Sequence, residues 1–207
     1  MTETNSAWNR VRGIAPVSLC DWPGRVSCVL FTGGCNLRCP TCHNGGLAWT
    51  WQTLPVLGRK SFLEDMRRRR SWLDGIVLSG GEPTCVPDLE NLLADLKTIG
   101  LPVKVDSNGS APDVLERLLV SDLAQTLAVD VKGPWNRYPE LTGGMSEASA
   151  RQSLQEVFAL ALAHPGRVYF RCTKVPALSA ADLTRTRAQV PEKLPLVFQE
   201  FVPPPEK

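Results

Sequence analysis

Apolar, β-branched runs recur along the chain at 26–31, 75–78, 103–106, 127–131, 168–174 and 196–201. Runs this short, bounded by Gly, Pro, Asp and Ser, read as buried strands. The stretches between them carry helical spacing and helix start signals. Ser61 begins S-x-x-E with Glu64, a capping box ahead of Phe62, Leu63 and Met66. Pro87 suits a first helical turn, with Leu89, Leu92, Leu93 and Leu96 on one face and Gly100 and Pro102 as the stop. Ser110 with Pro112 opens the next helix, Ser146 opens a long one through Ala163, and Ser179 with Asp182 opens the last.

Strands that alternate with helices predict a parallel sheet with right-handed crossovers. A closed eightfold barrel typically takes about 250 residues, and this chain has 207. The economical architecture is therefore α/β, an open (β/α)6 partial TIM barrel forming a single domain over residues 1–207. No internal repeat or linker interrupts it, and the one biased tract is the proline-rich end, VPPPEK.

Charge narrows the function. The net charge is +2 with signs interspersed, which gives no electrostatic footprint for nucleic acid. No apolar run reaches membrane-spanning length, and the polar start MTETNSAWNR does not read as a secretory leader. Seven cysteines, an odd number, do not suggest a disulfide framework. A reducing cytoplasm, where thiols serve metals, is the expected compartment.

The chemistry gathers at strand ends. Directly after the first strand comes GGCNLRCPTCHN, with Cys35, Cys39 and Cys42 spaced C-x3-C-x2-C. A structural zinc site takes four ligands, and a cubane iron–sulfur cluster is normally held by four thiolates. Three thiolates leave either a remote fourth ligand to be found or an iron open to a substrate. The second strand ends in SGGEP (79–83), the third in DSNG (106–109) and the fourth in DVKG (130–133). In parallel α/β folds the loops beyond the carboxyl ends of the strands form the active face.

C-x3-C-x2-C after the first strand, paired with GGEP after the second, resembles the radical S-adenosylmethionine (SAM) enzymes. The resemblance implies a partial barrel of the radical SAM type and a 4Fe–4S cluster on Cys35, Cys39 and Cys42, with SAM on the fourth iron. It places Gly80, Gly81 and Glu82 near the methionyl ammonium, Asp106, Ser107 and Asp130 as acceptors, and Lys132 as a cation for the carboxylate. Thr41 and His43 complete the cofactor-binding set. No catalytic residue is implied beyond these ligands. The stretches SLCDWPGRVSCVLFTGGCNLRCPTCHN, LSGGEPT, DSNG, VDVKGP and YFRCTKVP look like activating enzymes of glycyl-radical enzymes, most closely the branch serving anaerobic ribonucleoside-triphosphate reductase. In that branch the hydrogen donor is a backbone glycine of a large partner, which an open barrel flank admits, and a flavodoxin or ferredoxin supplies the electron. No nucleic-acid or membrane partner is implied.

This chain departs from relatives in three places. Thr41 stands where many have an aromatic residue beside adenine. Val197-Phe198-Gln199-Glu200 replaces a histidine near the last strand. No cysteine lies between Cys42 and Cys85, so inserted ferredoxin-like clusters are not expected. Two other readings stay open: a radical SAM enzyme of a small molecule, such as a deazapurine carboxy synthase, and a non-enzymatic iron–sulfur or zinc protein. Cys20, Cys28, Cys85 and Cys172 read as buried small hydrophobes; Cys20 and Cys85 are the two that loops could bring near the mouth. His164 reads as a helix-end residue, 67–70 (RRRR) as a solvated helix face, Gly143-Gly144 as a turn, and Trp49 and Trp51 as core or partner surface.

Overall fold

The computed structural model describes residues 7–203. The start of the chain, read above as no leader, and the end of the proline-rich tail lie outside the described residues. The described residues form two compact units. The first comprises those up to Asn36 with Asn44–Asp106 and Arg117–Thr126; the second comprises Leu37–His43, Ser107–Glu116 and those from Leu127 on.

The first unit carries β1 (Val11–Ser18), β2 (Ser27–Thr32), β3 (Gly75–Gly80) and β4 (Val103–Ser107). β2 pairs in parallel with β3, and β3 with β4. β1 is antiparallel to β2 and slips register between Val11 and Gly13 and again between Ala15 and Ser18. The sequence pattern did not predict β1, because Gly13 and Pro16 break its run and only its two end residues are buried. Pro16 has no N–H to give a ladder, which suits a strand paired on one side.

The β1–β2 connection holds Asp21-Trp-Pro-Gly-Arg25. The Arg25 N–H donates to the Trp22 carbonyl at 3.0 Å, and Gly24 sits at φ +75°, a turn with proline second and a left-handed glycine third. Trp22 is buried on Val29 and Val77, beside Ala15 and Phe31, and Arg25 lies 4.6 Å over its ring. A Cβ on Gly75 would meet that ring at 2.5 Å. This stretch precedes β2, whereas the cysteine loop follows it. It therefore packs the opposite end of the strand.

Helices α1 (Gly45–Trp49), α2 (Arg59–Arg69) and α3 (Leu89–Lys97) belong to the same unit. The capping box expected at Ser61 does not form. Gly58 is the N-cap of α2, and Ser61 Oγ donates to its carbonyl at 3.0 Å. The predicted face is nonetheless right, since Phe62, Leu63 and Met66 are buried. Arg67, Arg68 and Arg70 are exposed as expected, while Arg69 pairs with Asp65 and reaches the Pro16 carbonyl at 3.2 Å. α3 starts two residues after Pro87, behind Asp88, and buries its four leucines.

The second unit carries β5 (Thr126–Asp130), β6 (Val168–Lys174) and β7 (Leu196–Glu200), with α5 (Tyr138–Thr142), α6 (Glu147–Ala163) and α7 (Ala180–Gln189). Its strands pair in parallel, β5 with β6 and β6 with β7. Ser146 caps α6 by accepting from the Ser149 N–H, and Ser179 with Asp182 forms a full capping box on α7, both as predicted. His164 ends α6, and Gly143 ends α5 at φ +70°. The core packs Phe158 edge-on to Phe170 at 4.9 Å. α4 (Pro112–Val120) is divided, its residues up to Glu116 in the second unit and those from Arg117 in the first.

The chain is thus α/β, with strand order following chain order in each unit. All six predicted strands are present as β2–β7; the short α1 and α5 were not foreseen. Among the described residues no helix is long and apolar enough to cross a membrane. Cys28 and Cys172 are buried, as expected, but Cys20 is exposed and Cys85 half-buried. The expectation for Cys20 fails because it lies in the polar β1–β2 connection, where its backbone N–H donates to Ser18 Oγ at 3.3 Å.

Candidate functional site

In the first unit the backbone after β2 is held from several sides before it reaches Cys35. The Gly33 N–H donates to the Arg10 carbonyl at 2.7 Å, and that of Gly34 to Leu47 at 2.8 Å. The Gly34 carbonyl accepts the Glu82 N–H at 2.8 Å, and Thr32 accepts that of Gly81 at 2.8 Å. A Cβ on Gly81 would lie 2.1 Å from the Gly34 oxygen, and one on Gly80, at φ +117°, would lie 2.4 Å from the Thr32 backbone. Only glycines permit this contact of two backbones. Asn44 Nδ2 donates to the Gly80 carbonyl at 2.9 Å, which ties the residue after Cys-His to the tip of β3. Trp51 closes the far side, with Arg10 and Arg12 at 4.1 and 4.7 Å over its ring.

Glu82 is buried. Its Oε1 accepts from the Thr84 N–H at 3.1 Å and from Thr84 Oγ1 at 2.7 Å, so this carboxylate caps the short turn Pro83–Cys85. Burial and then Glu82 push the Cys85 thiol above its ordinary range, against a hydrogen bond from the Asn36 backbone. Cys85 therefore lies beside the Cys35 loop.

Asp106, at the tip of β4, is buried and carries two partners from the same unit. Ser79 Oγ donates to its Oδ2 at 3.2 Å, and the Lys104 ammonium is paired with its Oδ1. Lys104 has no exposed side-chain surface. The sequence reading missed it; the available signal was a lysine of the same strand parity as Asp106 in an otherwise apolar run.

In the second unit Cys39 and Cys42 share a turn, the Cys42 N–H donating to the Cys39 carbonyl at 3.1 Å. Burial raises the Cys39 thiol pKa, Lys132 pulls it down and Cys42 pushes it up again, so a thiolate here has a cation and a second sulfur nearby. The loop is anchored by the buried Leu37 and by the Arg38 N–H on the Thr142 carbonyl at 2.8 Å. Thr41 is half-buried. His43 is exposed, its Nε2 on the Val202 carbonyl and its ring 5.4 Å from Phe201. Ser107 Oγ accepts the Gly109 N–H at 3.1 Å.

Asp130 stands between two cations, Lys132 Nζ at 2.9 Å and Arg171 Nη2 at 3.0 Å. Burial opposes its ionisation, but Arg171 and Lys132 win and hold its carboxyl at about 2. Burial likewise opposes the Lys132 ammonium, yet Asp130 and Cys39 raise its pKa above the ordinary value. The triad carries one negative and two positive charges, so a ligand there meets net positive charge. The buried Tyr138 hydroxyl fixes the Lys132 backbone by accepting its N–H at 3.0 Å. Arg171 and Tyr138 were not foreseen; Arg171 is a charge inside a strand, in register with Asp130.

Cys35, Cys39 and Cys42 form no disulfide and are half-buried. Among the described residues no group of three or more His, Cys, Asp or Glu is gathered as a metal site, so their assignment rests on spacing and chemistry. The chemistry fits: soft sulfur donors suit an iron–sulfur cluster, and the glycine contact of Gly81 on Gly34 leaves a bare backbone edge beside the loop that begins the motif.

The sequence pattern described as "Radical SAM superfamily" matches residues 29–179. The chain is 37% identical over 131 residues to a putative glycyl-radical enzyme activating enzyme of Methanocaldococcus jannaschii, covering 63% of this chain and 53% of that protein. It is 34% identical over 90 residues to a 7-carboxy-7-deazaguanine synthase of Hyperthermus butylicus, covering 43% and 37%. It thus spans about half the length, or less, of these curated relatives. The structure of native anSMEcpe with bound AdoMet superposes with a TM-score of 0.62 at 15% identity, over 84% of this chain and 51% of that one. That likeness shows the fold and bears out the α/β, partial-barrel expectation.

Proposed function

The chain belongs to the radical SAM superfamily, and we propose that within it this protein is an activating enzyme that installs a glycyl radical on a partner protein. Enzymes of this family use a 4Fe–4S cluster and SAM. When bound, the pair supplies one-electron cleavage of SAM and hence hydrogen abstraction; the protein binds and orients. In this reading a single radical SAM domain spans residues 1–207. Cys35, Cys39 and Cys42 hold the cluster, with Thr41 and His43 flanking it. The backbone at Gly80 and Gly81, kept bare by the contact on Gly34, receives the methionyl ammonium, and Glu82 holds that turn in shape through Thr84. The net positive Asp130–Lys132–Arg171 triad receives the SAM carboxylate through Lys132. Asp106 and Ser107 offer acceptors from the tip of β4.

The partner in this reading is the glycyl-radical subunit of an anaerobic ribonucleotide reductase, and a flavodoxin or ferredoxin is the electron donor. The observation that carries the activase reading is the 37%-identical stretch shared with the M. jannaschii protein. The stretch shared with the deazaguanine synthase favours a second reading, a small-molecule radical SAM enzyme. One experiment separates the two. Reconstituted, reduced protein is incubated anaerobically with SAM and each glycyl-radical protein of the host, and the spin resonance spectrum is recorded. The expected result is a glycyl doublet and, on later exposure to air, cleavage of the partner at that glycine. No doublet, together with turnover of a deazapurine precursor, overturns the proposal in favour of the second reading.

A further inference from the structure

We propose that Lys104 is a positioning residue for the ligand site, acting through Asp106 as a built-in counter-ion that fixes this carboxylate against the tips of β3 and β4. The inference rests on the reading in which Asp106 faces SAM. Lys104 and Asp106 are two apart on β4, so both side chains leave the same face of the strand. Lys104 is fully buried and its ammonium is paired with Asp106 Oδ1, while Ser79 Oγ holds Oδ2 at 3.2 Å. Both carboxylate oxygens are therefore gripped from within the protein.

Stability alone is a poor reason for this arrangement. Taking an ion pair out of water costs about as much as its mutual attraction returns, and well-packed apolar residues usually serve as well. What the pair achieves is geometry. Ser79 directly precedes Gly80 and Gly81, so the contact from Ser79 to Asp106 ties the orientation of the β4 tip to the backbone edge that the glycines keep bare. Losing Lys104 would leave a buried carboxylate without the cation that orients its Oδ1. The second unit pairs Lys132 with Asp130 on one strand end in a similar way, but there Lys132 is partly exposed. Lys104 has no exposed surface, so it reaches a ligand through its neighbour.

The test uses cluster-loaded protein and four variants: Lys104→Met, Lys104→Gln, Asp106→Ala and the double Lys104→Met/Asp106→Asn. SAM affinity is measured by anaerobic titration, KM and kcat for 5′-deoxyadenosine release by kinetics, and folding by thermal melting. Lys104→Met should weaken SAM binding about tenfold, the loss of one positioned charge-assisted hydrogen bond. KM should rise while kcat and cluster absorbance hold. Lys104→Gln, which keeps a donor without the charge, should lie between Lys104→Met and the wild type. The double variant removes both charges of the pair together, so it keeps the question answerable if Lys104→Met does not fold. Its melting temperature should return to that of the wild type while its affinity stays low. A double variant that regains both shows that the pair serves packing only and overturns the proposal. Wild-type affinity in Lys104→Met beside weak binding in Asp106→Ala removes Lys104 but leaves Asp106 in the site. Wild-type affinity in both removes Asp106 as well, and the reading of that subsite with it.

Discussion

At Asp130 two cations meet one carboxylate, and the consequence is a defined pH dependence. Arg171 and Lys132 hold its pKa at about 2 in the folded chain, whereas an unfolded aspartate titrates near 3.9. A depressed carboxylate contributes stability that is fully present above its unfolded pKa and is lost as the pH falls through its folded one. Asp130→Asn should therefore melt below the wild type at pH 7, and the gap should narrow between about pH 4 and pH 2. Melting curves taken across that range check this; a gap that stays constant down to pH 2 would detach the two cations from Asp130. Sequence made the tips legible, because Asp, Lys and Gly after an apolar run stand out. It did not reveal who pairs with whom. Arg171 comes from another strand, and Lys104 sits inside an apolar run where lysine is almost never fully buried unless paired.

Two serines with the same sequence signature behave differently at the level of elements. Ser179 caps α7 with Asp182 three residues on, and both reciprocal hydrogen bonds are made. Ser61 has Glu64 three residues on, yet Gly58 takes the N-cap of α2 and Ser61 turns its hydroxyl back to it. Ser179→Ala should cost about 1 kcal/mol of stability, the usual worth of an N-cap, while Ser61→Ala should stay within about 0.5 kcal/mol of the wild type. Chemical denaturation of the two variants decides it, and equal losses would show that Ser61 does cap its helix. The apolar period places a helix face well but leaves its first residue open, since any neighbouring backbone can take the cap position. The same limit hid β1, whose Gly13 and Pro16 read as breakers until β2 is present to pair with it. The Asp-Trp-Pro-Gly-Arg turn was the reverse case. It was legible as a resemblance, but its buried Trp22 packs β2 and β3 at the end away from the cysteines.

Across the whole molecule the seven cysteines fall into environments that sort their chemistry. Cys28 and Cys172 are buried, and burial raises both thiols to about 11, so neither offers much thiolate at neutral pH. Cys20 is exposed and should be alkylated quickly whether or not metal is present. Cys35, Cys39 and Cys42 are half-buried and, as proposed cluster ligands, should react in the metal-free protein and resist once the cluster is reconstituted. Cys85 is also half-buried, beside the Cys35 loop, yet it lies outside the spaced motif; its labelling should be the same in both states. Iodoacetamide labelling of the native protein at pH 8, read by peptide mass, follows all seven thiols at once and needs no partner or turnover. Protection of Cys85 together with the three would point to a four-thiolate site with no open iron, and the SAM chemistry proposed for this chain would lose its binding position. Protection of none, beside full cluster absorbance, would place the cluster on other ligands.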